Sequence, residues 1–348
     1  MSGLPNSRHV SNTGLTLSIV IPSYRRPEYL HHCLSSLQAS SELIKEVCVV
    51  SRIDDTDTLK VLEGWRIATL SVRCVVVKSP GQVAALNEGL ASALGDVIFF
   101  LDDDTAVPKE TVRHVMHQFA DPRVDGFGVR DQITGDDFLA GQARIPEVGK
   151  VHWYGRTVGN HHRGMGSMRE VDVLKGACMA FRRSAIKGLT FDARLRGAGA
   201  EIHNDMNFSL AVRRNGGLLF YDPNFHIEHH LAPRMDRDQR RSFNPEAYSD
   251  IVHNHTLTLL AHLNLPGKIA YLFWGFVIGT RGEFGLAQVV RHLPAQGFLA
   301  VRRCLAAFHG RWKGILTYLK FHPVYGSTLV PTSANPQSAL TAEDSTPA

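Results

Sequence analysis

Three consecutive carboxylates, Asp102-Asp103-Asp104, close the apolar run Val97-Ile98-Phe99-Phe100-Leu101. Side by side such charges repel, and a cation held between them, or brought by a ligand, relieves the repulsion. Carboxylate oxygens suit a hard divalent ion, Mn2+ or Mg2+, which keeps water or substrate phosphate among its other ligands. Adjacent acids can divide the work: one holds the ion, and a neighbour accepts hydrogen bonds from a ribose. An ion so placed would neutralise a diphosphate as it leaves. The plainer reading is a solvated acidic turn and helix start, where aspartate is common. The apolar strand before the acids, and the order of elements around them, favour the ion.

The elements that must position these acids follow from apolar spacing. "LTLSIVIPSY" (15–24) reads as a buried strand broken at Pro22, and Pro27 suits a first helical turn. Leu30, Cys33, Leu34 and Leu37 then follow at i, i+3, i+4, i+7, the stripe of an amphipathic helix. "EVCVV" (46–50), "RCVVV" (73–77) and "DVIFFL" (96–101) read as further strands, with a helix at 81–94 between the last two and another after Pro108. Alternating buried strands and helices predict an α/β open sheet of mostly parallel order. Ligands of such sheets bind beyond the carboxyl ends of the strands. "IPSYRRP", "SRIDDTD" and "LDDDT" all fall there, so three polar loops converge on one rim. Residues 131–170, rich in Gly, His and Arg, predict a long loop excursion of the kind that serves as a lid. A helix is expected over 204–217 and a strand at "LLFYDP".

The 348 residues can bury a sizeable core, and a net charge of +5 is too mild to argue for nucleic acid. The basic residues are scattered and form no nucleic-acid motif. Five cysteines without CxxC spacing predict a reduced, cytoplasmic protein. The opening "MSGLPNSRHVSNTG" lacks an apolar core, so no signal peptide is expected, and no run of 18 apolar residues predicts a membrane span. The sequence sets no oligomeric state.

Six stretches in order carry a resemblance: "SIVIPSYRRPEYLHHCLSSL", "GQVAALNEGL", "GDVIFFLDDDTAVP", "KGACMAFRR", "NDMNFSLAVRRNGG" and "HIEHH". They resemble the ordered motifs of glycosyltransferase family 2, over about residues 15–230. That resemblance implies a GT-A fold, a Rossmann-like sheet flanked by helices, and inverting, metal-dependent transfer from a nucleotide sugar. It implies that Pro22 and Tyr24 flank the base and that Arg26, Asp54, Asp55, Asn87, Asp102 and Asp103 contribute to the nucleotide site. Asp104, with Asp102, would hold the metal, and His229 would complete the set, with His230 as the alternative. Asp205 would be the general base, since a carboxylate can take the acceptor hydroxyl's proton as its oxygen attacks the anomeric carbon. Glu201 is the fallback base. "KGACMAFRR" would line the acceptor side.

The sequence also departs from the family pattern. Asn204 stands where a glutamate is usual, Ser51-Arg52 where base-reading acids are usual, and Leu86 where an arginine is usual. The expected organisation is a catalytic domain over 1–240, a helical region over 241–326 and a disordered tail over 327–348. The apolar run 269–280 is too short to span a bilayer; it predicts either a core helix or a segment lying in the inner face of a membrane. The expected partners are a UDP-, GDP- or dTDP-linked sugar donor and a saccharide or lipid-linked acceptor, in surface polysaccharide or glycolipid synthesis. The rival reading is a non-catalytic nucleotide-sugar-binding module of an assembly complex, which would bind without turnover.

Overall fold

The computed structural model describes residues 14–65, 69–137, 141–234 and 242–320; the expected tail over 327–348 lies outside the described residues. Its strands are β1 (Leu17–Pro22), β2 (Ile44–Arg52), β3 (Val72–Val77), β4 (Val97–Leu101), β5 (Thr105–Ala106), β6 (Gly126–Thr134), β7 (Lys150–Val151), β8 (Thr157–Val158), β9 (Arg169–Val171), β10 (Cys178–Arg182) and β11 (Leu219–His230). The helices of the sheet layer are α1 (Pro27–Gln38), α2 (Thr56–Gly64), α3 (Gln82–Ser92), α4 (Lys109–Gln118) and α5 (Asn204–Arg214). Four more follow: α6 (Pro245–His262), α7 (Leu265–Val277), α8 (Leu286–Gln296) and α9 (Phe298–Lys320).

The main sheet runs β3-β2-β1-β4-β10-β6-β11-β5, with β9 also paired to β11. The first four strands are mutually parallel, as the alternating pattern implies. Antiparallel pairs enter where β10 lies between β4 and β6, and where β5 and β9 meet β11, so the whole sheet is mixed. Every residue of β4 is buried, because the strand is central and both its faces are covered. Its side chains alternate between two cores. Val97, Phe99 and Leu101 pack with Leu30, Leu34 and Val115 of α1 and α4. Ile98 and Phe100 pack with Val83 of α3 and Phe208 of α5. Chain order reverses between β1 and β4, the crevice at which open α/β sheets take ligands, and Asp102 to Asp104 emerge there.

Two stretches differ from the sequence expectation. The excursion at 131–170 holds the end of β6, the β7–β8 hairpin and the start of β9. Strands of two or three residues carry no readable period. The strand expected to stop at "LLFYDP" continues to His230. A register shift between Asp222 and His226 takes Pro223 out of the ladder, and pairing then resumes against β6.

The C-terminal helices pack on the sheet layer rather than standing apart from it. Leu257 of α6 joins the core under α3 and α5, and Asn207 of α5 donates to Thr258 at 3.2 Å. Helices α6 and α9 come close because α9 presents Gly310 and Gly314. A Cβ at Gly310 would lie 2.3 Å from the Ser249 carbonyl oxygen.

Candidate active site

A cavity of about 520 Å3 opens along the rim where β1, β2 and β4 end, and α5 and the stretch before it form its far wall. The three aspartates lie on its floor, and each has a different neighbour. Asp103 is buried and accepts from Ser23 Oγ at 2.9 Å and from the Arg26 guanidinium at 3.1 Å. Burial pushes its pKa up to about 7 although Arg26 opposes the shift. Asp102 accepts from Gln82 Nε2 at 3.3 Å; burial and the charge of Asp104 raise its pKa. Asp104 accepts from the Ala232 N–H at 2.9 Å and meets His229 Nε2 at 3.1 Å. Burial alone would raise the Asp104 pKa; His229, Ala232 and Arg26 overcome it and bring it down to about 2.

His229 arrives through β11. Its register opposite Thr105 of β5, and the bond from His230 N to the Asp104 carbonyl at 2.8 Å, bring the two elements together. Adjacent strand residues face opposite sides. His229 therefore points to the acids, while the His230 ring meets Thr134 Oγ1 at 2.9 Å and lies edge-on to His32. The second nitrogen of His229, Nδ1, lies 2.8 Å from Asp131 at the end of β6. Burial would lower the His229 pKa, but Asp131 and Asp104 outweigh it and lift it to about 10.

The residues present fit a divalent cation. Ligand atoms of Asp102, Asp104 and His229 lie within 4.8 Å of one another, and Asp104 Oδ1 is buried facing the His229 ring nitrogen at 3.1 Å. Two carboxylates and an imidazole suit Mn2+. Asp131 would hold Nδ1–H and leave Nε2 for the ion, the usual carboxylate support of a ligating histidine.

Asp205 stands in the first turn of α5, on the opposite wall. Its carboxylate accepts from the Gly176 N–H at 3.0 Å and its neighbour Met206 N at 2.8 Å. Burial would raise its pKa; Lys175 and those N–H groups hold it below the usual range, so it is charged and able to accept a hydroxyl proton's hydrogen bond. Lys175 itself sits among Asp205, Asp131 and Asp102, and their charges raise its pKa against the effect of burial.

The sequence-predicted residues separate into those the cavity gathers and those it does not. Pro22, Tyr24, Arg26, Asp102, Asp103, Asp104, Asp205 and His229 line it. The Tyr24 ring has the Arg25 and Arg52 guanidinium carbons each 5.0 Å from its centroid. Asp54 is exposed and pairs with Arg52 at 2.8 Å, outside the cavity lining. Asp55 is buried as the N-cap of α2, accepting from Thr58 N at 3.2 Å, and also accepts from Arg25 N. Asn87 bonds both backbone groups of Phe191 and fastens α3 to the 186–195 segment. None of these three faces the cavity; each satisfies local backbone or a neighbouring charge. Glu201, the fallback base, accepts from Val83 N at the start of α3. Gly81 makes room for it: φ is +110° there, and a Cβ would fall 2.1 Å from Glu201 Oε1.

Sequence reasoning missed Asp131, Lys175 and Gln82. Gln82 links Asp102 to Asn204, whose Nδ2 reaches Gln82 Oε1 at 3.3 Å, so the asparagine in the usual glutamate position is tied into the acidic floor. Lys175 opens the "KGACMAFRR" stretch and could have been found there. Asp131 is a strand-end residue whose partner lies 98 positions away, and no local signal marks it.

A mixed, curled sheet of this order with acids at its switch point is a GT-A fold. Residues 18–190 match the family described as Glycosyl transferase family 2, and through this segment the chain belongs to glycosyltransferase family 2. The Staphylococcus aureus poly(ribitol-phosphate) beta-N-acetylglucosaminyltransferase TarS is 30% identical over 103 residues, 28% of this chain and 18% of that protein. A crystal structure of S. aureus TarS 1-349 in complex with UDP-GlcNAc is similar with a TM-score of 0.55 at 16% identity, covering 88% of this chain and 92% of that one. The crystal structure of GalNAc-T7 with UDP, GalNAc and Mn2+ has a TM-score of 0.54 at 16% identity, covering 71% of this chain and 48% of that one. At these identities the solved structures show the fold. The chain spans less than half the length of the curated relatives it matches.

Proposed function

We propose that the chain is an inverting glycosyltransferase that moves a sugar from a nucleoside-diphosphate sugar to an acceptor hydroxyl, in the synthesis of a surface polysaccharide or glycolipid. The observation that carries this reading is one cavity with Asp102, Asp104 and His229 grouped on its floor and the charged Asp205 on the facing wall. Similar structures support it, since TarS was crystallised with UDP-GlcNAc and GalNAc-T7 with UDP, GalNAc and Mn2+.

Pro22, Tyr24, Arg52 and Asp102 line the cavity; in this reading the first three border the base and Asp102 accepts from the ribose. Asp104 and His229 would hold Mn2+ or Mg2+, which when bound supplies positive charge to the diphosphate. Asp205 orients the acceptor hydroxyl and takes its proton. The acceptor oxygen then bonds to the anomeric carbon as the bond from that carbon to the phosphate oxygen breaks, and the electron pair leaves with the diphosphate. Attack opposite the leaving group inverts configuration. Gly176 lies beside Asp205 and donates its N–H to that carboxylate at 3.0 Å. The donor is UDP-, GDP- or dTDP-linked, and the acceptor hydroxyl is carried by a saccharide or a lipid-linked saccharide. Helices α6 to α9 pack on the sheet layer behind α5, where Asn207 donates to Thr258.

The test is nucleoside-diphosphate release from a panel of such donors, with and without acceptor, for the native chain and Asp205→Asn. The reading expects release by the native chain and a loss of about 10²- to 10⁴-fold in kcat for the variant, with donor binding retained. Donor binding without any release by the native chain would establish the non-catalytic module instead.

A further inference from the structure

Three consecutive helices turn apolar stripes away from the body of the protein. Helix α7 exposes Leu265, Ile269, Phe273 and Val277, four residues apart, and buries Gly267, Tyr271 and Gly275. Helix α8 exposes Leu286, Val290 and Leu293, with Val290 at 76%. Helix α9 exposes Phe298, Leu305, Trp312, Leu316 and Leu319, spaced seven, seven, four and three apart, which is one line along a helix. Its other side, Ala300, Cys304, Ala307, Gly310 and Gly314, is buried. A helix packed on a soluble domain ordinarily faces solvent with polar residues, so stripes on three neighbouring helices mark a contact surface.

The charges identify what covers it. Between Asn264 and Lys320 Glu283 is the only carboxylate in the sequence, and it is already met by His255 at 2.6 Å and by Arg311 at 3.6 Å. At 100° per residue, Arg302, Lys313 and Lys320 fall on a second line beside the α9 stripe. Their apolar stems can lie along the stripe while the cations reach outward. On the α6 side Glu246 and Asp250 line a groove with Arg302 and Lys313, so the excess of cations belongs to the stretch from α7 to α9, where Glu283 is the one carboxylate. No helix among the described residues is long and apolar enough to cross a membrane. Apolar stripes with tryptophans, flanked by cations, are the makeup of helices that lie in a lipid interface.

We propose that the outer face of α7, α8 and α9 docks on an anionic bilayer surface, with Trp274, Trp312 and the leucine stripe in the interface and Arg302, Lys313 and Lys320 on lipid phosphates. Such docking needs neither donor nor metal, so it stands or falls apart from the reading of the cavity.

The experiment is flotation of the full chain with vesicles of equal parts phosphatidylglycerol and phosphatidylcholine, and with phosphatidylcholine alone. The chain is expected to float with the anionic vesicles, much less with the neutral ones, and less again at high salt. Trp312→Ser combined with Leu316→Ser removes two exposed side chains and is expected to lower the bound fraction about tenfold or more, with the melting temperature unchanged. A chain that stays unbound with anionic vesicles, or a double variant that floats like the native chain, would overturn the proposal. Self-association that the double substitution abolishes, without vesicle binding, would assign the face to a second copy and overturn it as well.

Discussion

At the scale of residues, the repulsion within Asp102-Asp103-Asp104 is met by three different devices. Arg26 neutralises Asp103, His229 stands against Asp104, and Gln82 donates to Asp102. The middle acid is thereby tied to Arg26 and Ser23, and the outer two group with His229. Asp131 is the unexpected member, because it orients His229 without touching the proposed ion. Asp131→Asn is expected to weaken Mn2+ binding about 10- to 100-fold while nucleotide binding without metal is unchanged. A Mn2+ titration of thermal stability reads this directly; equal midpoints for variant and native chain would remove the supporting role. Gly81→Ala forces a Cβ into Glu201 at a positive φ, and it is expected to destabilise the chain by more than about 1 kcal/mol in urea unfolding.

At the scale of elements, β4 both anchors the core and delivers the acids. Phe100 is fully buried within an aromatic group of Phe181, Phe191 and Phe208, so Phe100→Ala is expected to cost about 3–5 kcal/mol by urea unfolding. A cost below about 1 kcal/mol would mean that the strand is not the keystone its burial makes it. The elements legible in the sequence were those with a period: the four parallel strands, the stripe of α1 and the helix carrying Asp205. Strand direction was not legible, because an apolar run such as that of β10 reads the same either way. The far half of β11 was hidden behind Pro223, and His229 was placed by resemblance rather than by its strand. Among the expected site residues, those at the ends of β1 and β4 line the cavity. Asp55 and Asn87 looked like ligands because a polar side chain that bonds nearby or distant backbone is indistinguishable, in sequence, from one that faces a substrate.

At the scale of the whole molecule, buried histidines tie stability to pH. Burial lowers His161, His253 and His262 from 6.5 to about 4. Their folded pKa lies below the unfolded value, so they contribute stability above pH 6.5 that is lost as pH falls toward 4. The melting temperature is expected to drop across that window, and less steeply in His253→Gln; parallel curves would exclude this source. The C-terminal helices pack behind α5 through Leu257 and Thr258 and carry the apolar outer face. The central claim concerns the floor of the cavity, and thermal shift with UDP, GDP and dTDP, each with and without Mn2+, tests it most directly. The account predicts that one diphosphate stabilises the native chain only when Mn2+ is present, and that Asp104→Asn abolishes the effect. No stabilisation by any of the three with metal, or full stabilisation of the Asp104 variant, would contradict it.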